Sequence, residues 1–114
     1  MSTRRVEEVS ALLKREISQL MHETLAENFG LVTLTDIRVA PDFKEATCYI
    51  TVFDKANEKR VLVELEEKAL EYQKFLGRKL RMKFTPKISF KIDNYNEEID
   101  KVEKLLKEVD KNGS

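Results

Sequence analysis

Residues 31–53 read LVTLTDIRVAPDFKEATCYITVF, and their pattern decides which fold this chain takes. The first part, residues 31–40, is β-branched and aliphatic. Residues 45–53 alternate, with Ala46, Cys48, Ile50 and Val52 set against Thr47, Tyr49, Thr51 and Phe53. A period of two sends successive side chains to opposite faces of a strand, so one face is apolar. The other carries three hydroxyls and two aromatic rings and is expected to be open to solvent. Between the strands stands Pro41-Asp42. Proline presets φ and offers no N–H to the ladder, and aspartate bonds its own backbone, which is turn chemistry. The stretch predicts an antiparallel hairpin with a short loop.

The flanks of the hairpin are helical. From about Arg4 to Leu25, Val6, Val9, Leu13, Ile17, Leu20 and Thr24 recur at three- and four-residue steps, the stripe of an amphipathic helix. Asn28-Phe29-Gly30 ends it. After the hairpin, Leu62, Leu65, Ala69, Tyr72, Leu76, Leu80 and Phe84 hold helical spacing across roughly 58–84. That length predicts a kink or break, with Gly77 the one helix-weakening residue inside. Pro86 then precedes a short strand in which Ile88, Phe90 and Ile92 alternate with Lys87, Ser89 and Lys91. Asn94 and Glu97 have the form of a capping box, opening a last helix with Ile99, Val102, Leu105, Leu106 and Val109 inward. The order is α-β-β-α-(α)-β-α: an α+β sandwich with helices covering one face of a three-stranded sheet.

Composition bounds the function. At 114 residues, with 41% hydrophobic and 37% charged residues, the chain is a single soluble domain that buries a core without metal or disulfide help. No apolar run approaches a membrane span and the first residues lack a secretory apolar region, so no membrane association is expected. The single cysteine, Cys48, lies in the apolar face of a strand and reads as a buried thiol, which fits a cytoplasmic setting. The single histidine, His22, lacks partners for a triad and reads as a solvated helix residue. One histidine and one cysteine cannot form the usual zinc sites. Glycines at 30, 77 and 113 build neither a P-loop nor a dinucleotide fingerprint. No enzyme activity, metal, cofactor or small-molecule substrate is expected.

Charge is the positive signal. The chain balances 21 Lys+Arg against 21 Asp+Glu, yet Lys74, Arg78, Lys79, Arg81, Lys83, Lys87 and Lys91 fall in one stretch without an acidic residue. Elsewhere the surface mixes signs, as in Lys101, Glu103, Lys104, Lys107 and Glu108. On a continued helix, Lys74, Arg78 and Arg81 fall at i, i+4 and i+7, with Lys79 and Lys83 in a second row. Lys87 and Lys91, on the polar side of the next strand, extend the patch. A one-signed basic stripe on an otherwise acidic domain fits phosphate binding, so these seven residues are the candidate RNA-binding site. The other reading is a protein-interaction module that uses the open hairpin face around Tyr49 and Phe53.

The hairpin LVTLTDIRVAPDFKEATCYITVF and the run FLGRKLRMKFTPKISFKID (75–93) resemble the ribosome-binding factor A family. So do Lys101-Val102 and the pair Leu105-Leu106, and with the first helix the resemblance covers nearly the whole chain. The resemblance implies a KH-like fold of the second type, α-β-β-α-(kink)-α-β plus a C-terminal helix, as one domain over 1–114 with frayed ends. It implies a monomeric, non-enzymatic assembly factor that binds free 30S subunits and assists late maturation and processing of 16S rRNA, with a part in cold adaptation. One departure stands out. The family's usual Ala-x-Gly at the interhelical kink falls on Lys68-Ala69-Leu70, so the kink is expected to be mild or shifted towards Gly77.

Overall fold

The computed structural model describes residues 3–25, 29–94 and 105–106. Helix α1 spans Thr3–Thr24, strands β1 and β2 span Val32–Val39 and Glu45–Val52, helix α2 spans Glu58–Lys79, and strand β3 spans Lys87–Ile92. Glu97 of the expected capping box and nearly all of the last expected helix lie outside the described residues. Leu105 and Leu106, expected to face inward, are helical and exposed.

β1 and β2 form the expected antiparallel hairpin, with Val39 opposite Ala46 and Val32 opposite Val52. The loop is tight for local reasons. Phe43 N–H donates to the Ala40 carbonyl at 2.8 Å, closing a turn with Pro41 at its second position. The Asp42 carboxylate accepts from the Lys44 N–H at 3.0 Å. The register slips by one residue between Leu34 and Asp36, a bulge at Thr35. Thr35 uses its freedom to donate to Asp93 at 2.6 Å, which ties β1 to the end of β3.

The sheet order is β1-β2-β3, and β3 runs parallel to β2. A parallel neighbour needs a crossover, and α2 supplies it. Helices α1 and α2 cover the face carrying Leu34, Ile37, Val39, Ala46, Cys48, Ile50, Val52, Ile88 and Phe90. From the helices come Leu13, Ile17, Leu20 and Met21 of α1 and Val61, Leu65, Tyr72 and Leu76 of α2. Tyr72 is fully buried, its ring edge-on to Phe90 with centroids 6.3 Å apart. Its hydroxyl is satisfied by the Thr24 hydroxyl at the end of α1. This is the helix–strand–strand–helix–strand order of the second KH type, and among the described residues no helix covers the second sheet face.

The crossover helix differs from expectation. α2 is one uninterrupted helix, with no break at Lys68-Ala69-Leu70, and it stops at Lys79 and not near residue 84. Glu64–Lys68 is an i,i+4 ion pair across that stretch, and Ala69 is a good helix former where a glycine would favour bending. Gly77 serves packing instead: a Cβ there would stand 3.3 Å from the Thr85 hydroxyl as the chain folds back. Phe84, phased inward on a longer helix, is therefore off the helix and 79% exposed.

Cys48 is completely buried, and burial pushes its thiol up to about 12. Alkylation by iodoacetamide at pH 8 should therefore be negligible in the native protein and rapid once urea unfolds it. Labelling at a similar rate in both states would contradict this packing.

Candidate nucleic-acid interface

Helix α2 ends because the chain enters a left-handed conformation. Arg81 has φ 52°, and the Met82 N–H reaches back to the Gly77 carbonyl at 3.0 Å, the long bond of a Schellman cap. Glycine is the usual residue there, since a Cβ in this conformation costs about 1 kcal/mol or more. Arg81→Gly should accordingly stabilise the fold by about 0.5–1 kcal/mol, read by urea denaturation. A loss of stability would show that the arginine side chain holds the turn. Gln73 then fixes the returning chain by donating to the Thr85 carbonyl at 3.1 Å.

The structure divides the seven basic residues. Lys74 and Arg78 lie on the exposed side of α2. Arg81 and Lys83 lie exposed in the turn that follows. Lys87 and Lys91 project from the uncovered face of the sheet, opposite Glu45 and Tyr49 of β2 in register. At about 3.3 Å per residue, Lys91 stands about 13 Å further along β3 than Lys87. One helical stripe thus becomes a band that starts on the helix layer, passes around the 80–86 turn and ends on the sheet face.

Lys79 is different. Its ammonium donates to Glu16 Oε2 of α1 at 2.6 Å and lies 5.8 Å from the Phe75 ring centre. Glu16 is 6% exposed, the one buried charged residue among those described. Of the seven, Lys79 alone meets a carboxylate among the described residues, so its charge is committed to joining the helices.

Two further cations join the band from distant parts of the chain. The Lys87 N–H donates to the Lys44 carbonyl at 2.9 Å, which sets the β1–β2 loop against the start of β3. The Arg5 guanidinium of α1 lies 5.7 Å from the Phe43 ring centre in that loop. Arg5, Lys44, Lys83 and Asp42 line a groove of about 600 Å³ with Val9, Phe43, Met82 and Phe84. In the linear sequence Arg5 and Lys44 lie far from the basic stretch, Lys44 between Asp42 and Glu45. The parallel pairing of β3 brings Lys44 to the basic turn, and the contact of α1 with Phe43 brings Arg5.

The remaining candidates stand apart from this end. His22 is exposed on α1. Tyr49 is half-buried on the uncovered sheet face with Arg38 5.5 Å above its ring, and Phe53 is 84% exposed beyond the end of β2.

Residues 5–106 match the family described as ribosome-binding factor A. The chain belongs to the ribosome-binding factor A family. The ribosome-binding factor A of Bdellovibrio bacteriovorus is 32% identical over 106 residues, which cover 88% of this chain and 79% of that protein. The crystal structure of ribosome-binding factor A from Thermus thermophilus superposes with a TM-score of 0.69 at 22% identity, over 76% of this chain and 93% of that one. A Thermus thermophilus ribosome-binding factor A model, fitted into the cryo-EM map of a complex with the 30S subunit, gives 0.67 at 22% identity, over 75% and 92%. The structural likeness carries the KH-like fold, and the sequence carries the family.

Proposed function

We propose that this protein is a ribosome-associated factor that binds free 30S subunits through its cationic band, as a monomer and without catalysis, in the cytoplasm. We further propose that it assists late maturation and processing of 16S rRNA. The observation that carries the reading is the concentration of Lys74, Arg78, Arg81, Lys83 and Lys87, joined by Lys44 and Arg5, around one turn of a family member. Folded rRNA is recognised largely by shape and backbone, and a band of cations that wraps an edge suits that surface better than a flat patch. Lys91 contributes from the sheet side, and Lys79 contributes through the helix packing it secures.

Sedimentation of tagged protein through sucrose gradients tests the assignment. The protein should co-migrate with free 30S subunits at 50 mM salt and be depleted from 70S particles and polysomes. Between 50 and 200 mM salt, five to seven phosphate contacts should weaken binding by roughly three to four decades. Recovery in 70S fractions, or only at the top of the gradient at low salt, would overturn the proposal.

A further inference from the structure

Resting on the RNA reading above, we propose that the groove between Phe43 and Phe84 is a stacking site for one unpaired nucleotide, its base against the rings and its phosphates on Arg5, Lys44 and Lys83. Phe84 is 79% exposed, and Lys83 sits 5.7 Å from its ring centre. Phe43 faces the same groove with Arg5 5.7 Å from its own ring centre. A ring paired with a cation presents a π surface and a positive charge together, which are the two groups a nucleotide needs. Asp42 is the one acidic residue in the lining, placed to accept from a base amino or imino group.

Backbone strain marks the same place. Among the described residues, Phe43 and Arg81 are the non-glycine residues with positive φ, at 60° and 52°. One lines the groove and the other precedes its Met82. Arg81 owes its conformation to the helix cap, whereas Phe43 is held in the groove lining against a local cost that glycine would relieve. Charge complementarity selects the occupant. An apolar peptide would cover the rings but leave Arg5, Lys44 and Lys83 without counter-charge, whereas a nucleotide satisfies both.

The methyl groups of Met82 and Met21 give a test by ¹³C-methionine NMR, one lining the groove and the other buried in the core. Hexaadenylate should shift the Met82 methyl by ring current and leave Met21 in place. Inorganic hexaphosphate, which carries charge without bases, should bind the band and leave Met82 unmoved. Phe84→Ala, a change at an exposed site, should weaken hexaadenylate binding about tenfold and hexaphosphate binding hardly at all. If hexaadenylate binds with Met82 unmoved and equal affinity for the variant, the stacking site is overturned and the phosphate band stands. If hexaadenylate fails to bind while 30S subunits do, the stacking site is likewise overturned. If neither binds, the RNA reading falls with it.

Discussion

Reversing Arg78, Arg81 and Lys83 to glutamate together should lower affinity for free 30S subunits by about a hundredfold or more at 100 mM salt, with the fold intact. All three side chains are exposed, and none meets a carboxylate among the described residues, so each reversal should change stability by no more than about 0.5 kcal/mol. The effect on binding follows from counterion release. Each phosphate neutralised contributes about 0.9 to the slope of log K against log salt, so losing three contacts should flatten it by about 2.7. Repulsion from the introduced carboxylates adds to the loss and is itself screened. The gap between variant and wild type should therefore narrow as salt rises towards 0.5 M. Co-sedimentation across a salt series reads both quantities. Equal affinities, or a constant gap at all salt concentrations, would place the 30S-binding surface elsewhere.

The parts of this fold that were legible in the sequence are those governed by short-range periodicity. The alternation from Ala46 to Val52 fixes which face of β2 is buried, and Pro41-Asp42 fixes the turn before it. The stripe from Leu13 to Leu20 likewise gives α1 its inward side. The succession of periodicities gave the element order, and resemblance to the family added the KH-like type. What stayed hidden was long-range or depended on one dihedral angle. Helical spacing continues through Leu80 to Phe84, but the left-handed Arg81 ends the phase and turns Phe84 out to solvent. The parallel pairing of β3 with β2 leaves no local signal, yet it sets Lys44 beside Lys87 and the basic turn. Glu16 belongs to the same class. On α1 it reads as one more charged residue, and only the approach of α2 shows that it is buried and paired.

Lys79→Glu should have the opposite profile to the triple variant: a loss of roughly 2–4 kcal/mol in stability, and binding lost only as folded protein is lost. Lys79 and Arg78 are neighbours in the same basic stretch, yet the step of about 100° around α2 between them divides folding from binding. Lys79 faces Glu16, whose carboxylate is buried and 2.6 Å from the ammonium, while Arg78 faces solvent. Removing the closer partner leaves the buried carboxylate only Arg15, 3.8 Å from Glu16 Oε1 and itself 73% exposed, and a second carboxylate in place of the lysine adds repulsion. Lys79→Met should therefore cost less, about 1–3 kcal/mol, because the lysine side chain is 47% exposed and water screens part of the pair. In a domain of this size, 3 kcal/mol corresponds to a fall in melting temperature of well over 10 °C. Replacing both partners, Glu16→Leu with Lys79→Met, should recover most of the stability, since two apolar side chains leave no orphaned charge between the helices. If Lys79→Glu melted like wild type, or the double variant fared no better than Lys79→Met alone, the pair would be a surface contact, and Lys79 would return to the binding band with its neighbours.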